Sequence, residues 1–352
     1  MKSFLLATLL FLHASLLRAE AQPYKLGFIS ILSGPYSDVG QAMANAARLA
    51  VEDYEMAHPR EKISFILEDD GADPGKALSA YEKLKNVDKA DLIMPVSTFA
   101  IGVLRDRVNR QKDLTFILGN EPYEPADDYI YMFTPAAVPA ECGLGEVVAK
   151  EHSEGAILVV TSQNEALFRF ARAVKACAGE RAQIIEIPAG ADFRGLALSI
   201  KSRKPVALVF NGLPVESARL LKELKRLGVS VPLYFDDSIA NSLTDFRTIM
   251  GDLSFLKDAK ILNLTSHVDP GFAERYSRRF STPPQIWTDF TYDATYLALL
   301  LKSKPSNDVR EWLRTNSYTG VSGTIRFDAN GLRVAEFAIL PLSEHPNFKG
   351  KL

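Results

Sequence analysis

The sequence predicts an α/β protein of two similar lobes, each with a mostly parallel sheet covered by helices. Short apolar strands alternate with amphipathic helices along most of its 352 residues, as in parallel sheets with helices on both faces. The pattern starts again near Pro139 and breaks near Thr134–Pro139, Ser266–Gly271 and Ser317–Ser322. No low-complexity linker separates the halves, so these breaks are predicted to be three crossings between the lobes.

The first strand, turn and helix lie within Lys25–Tyr54. Hydrophobic periodicity predicts a strand at Leu26–Leu32, a turn at Ser33–Tyr36 and a helix after Asp38. The turn joins the carboxyl end of a strand to the amino end of a helix. α/β sheets hold ligands at this place, so the turn is predicted to face a binding site.

Residues 1–21 are predicted to be a secretory signal peptide. Lys2 precedes an apolar run from Phe4 to Leu17, and the small residues Ala19 and Ala21 suit a signal peptidase. The run is about 14 residues, shorter than the roughly 20 that a membrane helix needs. We therefore expect an exported, soluble protein whose mature chain starts near Gln22.

The charge balance argues against binding to polyanions. The whole chain has a formal net charge of −2, and removal of the signal peptide changes it to about −3. Nucleic acid and anionic membrane surfaces are therefore not expected as partners.

The remaining elements of the first half are read from periodicity and turn residues. Asp73 followed by Pro74 is predicted to be an N-cap and the first residue of a helix. The predicted strands are Ile63–Glu68, Leu92–Val96, Leu114–Leu118 and Tyr129–Phe133, and the predicted helices are Pro74–Val87 and Phe99–Gln111.

The second half repeats the alternation and ends in two strands around the turn Asp328–Gly331. The predicted strands are Ala156–Val160, Ile184–Pro188, Val206–Asn211, Leu233–Asp236, Ile261–Leu264, Gly323–Phe327 and Val334–Pro341. The predicted helices are Pro139–Glu151, Glu165–Cys177, Val215–Leu227, Thr244–Met250, Phe272–Phe280, Phe290–Lys302 and Val309–Thr315.

The chain has two cysteines, Cys142 and Cys177. Export would permit a disulfide between them. However, Cys142 lies near the start of one predicted helix and Cys177 near the end of the next, and successive crossover helices run parallel. This geometry favours two unpaired cysteines that act as small core residues.

The order of elements and four separated motifs resemble the leucine/isoleucine/valine-binding protein family. These are type I periplasmic substrate-binding proteins of ABC importers. The similarity runs from about Tyr24 to Ala338, and the motifs are SGPYSDVG with the Ala-rich helix after it, EDDGADPGKAL, TYDATYLALL and YTGVSGTIRFDANG.

The resemblance implies two Rossmann-like lobes in the periplasm that close on a small ligand, such as an amino acid, an amide or a short organic acid. The protein would then dock on a membrane permease. With the predicted crossings, the N-terminal lobe comprises residues 22–134 plus 268–318, and the C-terminal lobe comprises residues 135–267 plus 319–352.

Candidate ligand contacts in the N-terminal lobe follow the ends of its strands. Ser33 either contacts the ligand or only ends its strand, and Tyr36 either covers the ligand or packs on its own lobe. Ser97 and Thr98 stand at a helix start, where capping and carboxylate binding use the same geometry. The resemblance implies that these two hydroxyls hold the ligand carboxylate.

Two further candidates, Asn120 and Glu121, follow the fourth strand. The family usually carries small and hydroxyl residues there, so Glu121 is a departure. It either faces solvent or binds a positive group on the ligand.

Candidate contacts in the C-terminal lobe are Asn164, Leu213 and Asp237. Asn164 and Leu213 stand where the family often places aromatic contacts. Asp237 matches the position from which the family binds the ligand's ammonium, although adjacent carboxylates such as Asp236 and Asp237 are otherwise more often helix caps. Asp237 facing Ser97 and Thr98 would clamp a zwitterion.

Motifs for enzyme chemistry are missing from the sequence. Gly71–Ala77 is one residue too short for a phosphate-binding loop and has Ala77 where a Ser or Thr would hold magnesium. The five histidines have no zinc-site spacing, and there is no Gly-x-Ser-x-Gly elbow. We expect a monomeric binding protein without metal, cofactor or enzyme activity. Departures at Glu121, Asn164 and Leu213 keep open a sensory or regulatory protein on the same fold.

Overall fold

A computed structural model describes most of the chain after residue 21. The described residues are 22–34, 36–96, 98–113, 115–117, 129–135, 137–163, 165–236, 239, 242–263, 269–285, 287–329, 331–334, 337–345 and 348.

The first lobe contains two three-stranded parallel sheets, with strand orders β2-β1-β3 and β13-β5-β4. Its strands are β1 (Tyr24–Ser30), β2 (Ile63–Asp69), β3 (Leu92–Pro95), β4 (Thr115–Ile117), β5 (Ile130–Pro135) and β13 (Leu332–Arg333). Its helices are α1 (Ser37–Ala57), α2 (Pro74–Asn86) and α3 (Thr98–Gln111), followed late in the chain by α9 (Pro270–Phe280), α10 (Thr288–Leu301) and α11 (Ser306–Thr315).

Side chains alternate between two cores of the first lobe, because successive strand residues point to opposite faces. Phe28 belongs to a core that also includes Phe116 and Phe133. Ile29 belongs to the core on the other face, beneath α2 and α3. The shared core with Phe28, Phe116 and Phe133 joins the two small sheets into one lobe.

The second lobe is built on one six-stranded sheet of order β14-β10-β9-β8-β6-β7, in which only β14 is antiparallel. Its strands are β6 (Ile157–Ser162), β7 (Ala182–Ile187), β8 (Ala207–Asn211), β9 (Leu233–Phe235), β10 (Lys260–Asn263) and β14 (Ala338–Pro341). Its helices are α4 (Ala137–Glu151), α5 (Glu165–Ala178), α6 (Phe193–Ser202), α7 (Pro214–Arg226) and α8 (Leu243–Met250). Leu158 and Val160 face one core and Ile157 and Val159 face the other.

The predicted fold class is confirmed, and the structure adds one helix that the sequence reading missed. Helix α6 connects β7 to β8 across β6, since both strands pair with β6 in parallel. Asp192 caps this helix by accepting a hydrogen bond from the N–H of Arg194 at 3.2 Å. None of the helices among the described residues is long and apolar enough to span a membrane.

The predicted closing hairpin is found only in part: Phe327 and Arg333 form an isolated antiparallel bridge on either side of the predicted turn, and the N–H of Val334 donates to the carbonyl oxygen of Arg326 at 2.9 Å. The named strands around this bridge have other partners. Gly323–Ile325 (β12) pairs antiparallel with Tyr318–Gly320 (β11), a strand the sequence reading missed. Leu332–Arg333 pairs with β5, and β14 pairs with β10 in the other lobe. The chain passes from β13 in the first lobe to β14 in the second, which favours a third crossing between these two strands instead of at Ser317–Ser322. The division of the chain between the lobes stays a prediction.

Cys142 and Cys177 form a disulfide, with 5.2 Å between their Cα atoms, so the expectation of unpaired cysteines is wrong. The rule for crossover helices does not apply to α4, because β5 and β6 on either side of it lie in different sheets. Gly145 lies directly against the backbone of Val174 and leaves no room for a side chain there. The two helices therefore approach closely beside the cysteines.

Candidate functional site

The candidate site comprises the loops at the carboxyl ends of the parallel strands in both lobes. In the first lobe the turn after β1 is held against α1. The Ser30 hydroxyl donates to the carbonyl oxygen of Gly40 at 2.8 Å. Gly40 lies so close to the backbone of Ile31 that no side chain would fit. A glycine at this place in SGPYSDVG thus lets the helix begin directly on the strand end.

Asp69, at the end of β2, organises the loop that carries Ser33. The N–H groups of Leu32 and Gly71 donate to Oδ1 of Asp69 at 2.8 and 2.9 Å. The Ser33 side chain also bonds to this carboxylate. Burial alone would raise the pKa of Asp69, but the hydrogen bonds outweigh it and lower that pKa. Ser33 is therefore already engaged with its own lobe, which is a contact the sequence reading did not anticipate.

The EDDGADPGKAL segment forms a loop and a helix start, as the sequence predicts. Asp70 is fully buried and its Oδ1 accepts the N–H of Ala72 at 3.0 Å. Asp73 caps α2 by accepting the N–H of Lys76 at 2.8 Å. The acidic residues of this motif therefore shape the loop beside Ser33.

Large apolar side chains are exposed near the strand ends of both lobes. Tyr36 directly precedes α1 and is 54% exposed, and Val103 in the second turn of α3 is 37% exposed. In the second lobe, Leu213 and Val215 at the start of α7 are 46% and 39% exposed. These side chains could contact the apolar part of a ligand.

The second lobe carries a hydrogen-bonded polar group beside Leu213. The Ser162 hydroxyl accepts the N–H of Leu213 at 2.8 Å and donates to Oε2 of Glu216 at 2.5 Å. Leu213 is the N-cap of α7 and makes no side-chain capping bond. The hydroxyl from β6 therefore fixes the turn that exposes Leu213.

Asn211, at the end of β8, and Asp236, directly after β9, form a buried hydrogen-bonded pair. Nδ2 of Asn211 donates to Oδ2 of Asp236 at 2.7 Å, and the residues are only 2% and 6% exposed. The Thr161 hydroxyl donates to Oδ1 of Asn211 at 3.2 Å. Sequence reasoning did not identify Thr161, Ser162, Asn211 or Glu216 as a network. The signal available in the sequence was a polar residue at the end of a buried apolar strand, as at Ser162 and Asn211.

The structure describes only some of the predicted ligand contacts. Ser33, Tyr36 and Leu213 lie at the strand ends as expected, and Thr98 is the first residue of α3. The other predicted contacts lie outside the described residues; they are Ser97, Asn120, Glu121, Asn164 and Asp237. The predicted clamp between Asp237 and the hydroxyls of Ser97 and Thr98 therefore stays a prediction.

Two other features lie away from these strand ends. A cavity of about 260 Å³ beside Tyr24, Lys85 and Lys304 lies at the opposite, amino-terminal end of the first-lobe strands. Among the described residues, one group of three possible metal ligands is found, Cys142, Glu146 and Cys177. Its two sulfurs are bonded to each other, so they offer no thiolate to a metal. Neither feature competes with the strand ends as the candidate site.

The chain matches one family model along most of its length. This model, described as periplasmic binding protein, matches residues 23–340. No curated protein matches the chain.

Several solved structures are similar in fold. A solute-binding protein of an ABC transporter from Rhodopseudomonas palustris, in complex with 3,4-dihydroxybenzoic acid, is 20% identical with a TM-score of 0.69, covering 90% of this chain and 92% of that one. A leucine-binding protein from Thermotoga maritima is 16% identical with a TM-score of 0.70, at 91% and 99% coverage.

A branched-chain amino acid transporter substrate-binding protein from Streptococcus pneumoniae, in complex with isoleucine, is 17% identical with a TM-score of 0.69, at 91% and 96% coverage. At these identities the structures indicate a common fold, and they cover both lobes.

Proposed function

Because the chain belongs to the periplasmic binding protein family, we propose that it delivers a small polar ligand to the membrane permease of an ABC importer. The resemblance to leucine/isoleucine/valine-binding proteins is confirmed by the family match and the similar structures. The observation that carries the proposal is the match over residues 23–340, which spans both lobes and the strand ends that face a ligand in such folds.

The ligand we propose has a carboxylate on an apolar body. Tyr36 and Leu213 offer exposed apolar surface from the two lobes. The bound molecules of two similar structures, isoleucine and 3,4-dihydroxybenzoic acid, both combine a carboxylate with an apolar part. Amino acids and short organic acids fit this description, and amides are the comparison class that lacks the carboxylate.

The predicted clamp supplies the polar contacts in this proposal. Ser97, Thr98 and the amino end of α3 would bind the carboxylate, and Asp237 would bind an ammonium. Each charge-assisted hydrogen bond contributes about 1.5–3 kcal/mol. Several are needed, because ordering two lobes around one ligand itself costs free energy. Asn120, Glu121 and Asn164 complete the proposed contacts.

The rest of the proposal concerns the protein's surroundings. Residues 1–21 would direct export and be removed near Ala21, leaving a mature periplasmic protein. It would act as a monomer, without enzyme activity, and dock on the permease after closing. Closure would be driven by the ligand's stronger contacts in the closed state.

A second candidate is a sensory or regulatory periplasmic protein on the same fold. It is favoured by Leu213, which stands where relatives often carry an aromatic ligand contact and which is 46% exposed. Such a protein would signal to another exported or membrane protein, with or without a ligand in its divergent cleft.

A thermal-shift screen of the mature protein against amino acids, amides, aliphatic and aromatic acids and sugars tests the proposal. A ligand at a hundred times its Kd adds about 2.7 kcal/mol of stability. A shift with α-amino acids supports the full clamp, and a shift only with acids or amides removes the ammonium role of Asp237. No shift with any compound would favour the regulatory candidate.

A further inference from the structure

A buried polar cluster lies beside the connections between the two lobes. We call Asp293, Ser322 and Arg333 the hinge anchor. They come from α10, from the turn between β11 and β12, and from the end of β13. Their exposed fractions are 0%, 5% and 3%.

The Asp293 carboxylate binds the turn between β11 and β12. Its Oδ1 accepts the N–H of Val321 and its Oδ2 accepts the N–H of Ser322, each at 2.8 Å. The Ser322 hydroxyl donates to Oδ2 as well. Gly320 has no room for a side chain, because Asp293 occupies the space beside it. The carboxylate therefore accepts hydrogen bonds from three donors of this turn, two of them on the buried Ser322.

Arg333 binds the same turn from the other side. Its NH1 and NH2 donate to Oγ and O of Ser322, both at 2.9 Å. Its guanidinium also lies over the ring of Phe290, 4.9 Å from the centroid. The planar guanidinium is thus fixed in orientation by hydrogen bonds and by the aromatic face.

The anchor contacts the first-lobe ends of two connections directly and that of the third through Val321, whose N–H it binds. Arg333 itself is the last residue of β13, the strand that precedes β14 in the chain. Its NH1 makes a long hydrogen bond of 3.4 Å to the carbonyl oxygen of Phe133, near the end of β5. The N–H of Asp269, at the start of α9, donates to the carbonyl oxygen of Val321 at 2.9 Å. One cluster therefore joins the ends of three segments that are far apart in sequence.

We propose that Arg333 and Asp293 are positioning residues for lobe movement, which hold the first-lobe ends of all three connections as one rigid base. The first lobe then moves as a single body relative to the second. The inference deepens the proposed function, since it assigns residues to closure that do not touch the ligand. The Ser322 hydroxyl connects the two charged groups, because it accepts from NH1 of Arg333 and donates to Oδ2 of Asp293. Removing either charged group leaves buried polar atoms without their hydrogen bonds, which costs free energy.

The test measures the distance between the lobes without a ligand. Nitroxide labels on Val87→Cys and Leu198→Cys report it, since these side chains are exposed in α2's C-cap and in α6, at 72% and 49%. The native cysteines are bonded to each other and do not take label. Arg333→Met, Asp293→Asn and Ser322→Ala are each expected to widen the distance distribution, and Arg333→Lys to restore part of its narrow width.

Leu313→Ala is the matched control, because Leu313 is 1% exposed in the first-lobe core and lies in α11. It should lower the melting temperature and leave the distribution narrow. If the anchor variants lose stability but keep the wild-type distribution, as Leu313→Ala does, the inference is overturned. Should Arg333→Met not fold, Ser322→Ala decides, since it removes only one hydroxyl. The distances need no ligand, so a failed ligand screen would weaken the proposed function and leave this inference standing.

Discussion

Asp289 and Asp293 lie one turn apart on α10, and both are buried at the inner side of the same helix. Burial, reinforced by the negative charge of Asp293, raises the pKa of Asp289 to about 6, although Arg333 and backbone hydrogen bonds act in the opposite direction. Burial likewise raises the pKa of Asp293, against hydrogen bonds from Ser322 and Val321.

The first prediction concerns stability against pH. The unfolded pKa of an aspartate is about 3.9, so the folded chain binds more protons at Asp289 between about pH 4 and pH 6. The contribution of Asp289 to stability is therefore present at low pH and lost as the pH rises through 6. Asp289→Asn should gain on the order of 1–3 kcal/mol relative to wild type between pH 4 and pH 7.

Denaturant unfolding at several pH values measures this difference. Asp258→Asn is the control for the loss of one exposed carboxylate, since the Asp258 side chain is 89% exposed. Parallel curves for Asp289→Asn and wild type would rule out titration of Asp289 in this range.

The second prediction concerns the disulfide. Cys142 and Cys177 are 35 residues apart, and closing a loop of this length stabilises a fold by about 3–4 kcal/mol in the chain-entropy account. The double variant Cys142→Ser, Cys177→Ser should lose about that much free energy of unfolding. Reductant should destabilise the wild type and leave the double variant unchanged; equal stability of the oxidised wild type and the variant would contradict the prediction.

The third prediction separates two adjacent aspartates. Asp236 is buried and accepts a hydrogen bond from Asn211 at 2.7 Å, so Asp236→Ala should cost about 1–3 kcal/mol of stability by leaving that donor without its acceptor. Asp237→Ala should leave stability near wild type and abolish binding of the α-amino acid that the screen selects. Calorimetric titration and denaturant unfolding of both variants measure the two effects, and unchanged affinity in Asp237→Ala would remove Asp237 from the site.

The fourth prediction concerns the carboxylate of the ligand. Ser97→Ala combined with Thr98→Ala should weaken a carboxylate ligand tenfold or more, about 1.4 kcal/mol, because two hydroxyl donors are lost. Thr315→Ala is a suitable control, since Thr315 is the last residue of α11 and its hydroxyl donates to the carbonyl oxygen of Glu311 in the same helix. A loss of less than tenfold in titration calorimetry would leave Ser97 and Thr98 with a structural role alone.

Local patterns were sufficient to predict most of the fold. The periodicity of β1 and α1 and the Asp73-Pro74 start of α2 are determined by nearby residues, and the structure has them at the expected places. Pairing partners depend on distant residues. The two residues of β13 carry no signal that they join β5, so the closing strands were assigned to each other.

The candidate site, like the fold, could be predicted from the sequence only in part. Strand ends such as Ser33 and Leu213 can be located from the sequence, because the end of an apolar run marks them. The partners of those ends cannot: nothing near Ser33 in the sequence indicates Asp69, and nothing near Leu213 indicates Ser162. The disulfide shows the same limit, since its geometry follows from how α4 packs on α5.

The bond between Cys142 and Cys177 makes the stability of the second lobe depend on the redox state of its surroundings. Thiols stay reduced in the cytosol, whereas oxidising compartments let disulfides form and persist. Under the proposed export, the chain would lack this covalent link between α4 and α5 before it leaves the cytosol and would unfold more readily for passage across the membrane. Oxidation afterwards would join the two helices and make the folded form more stable.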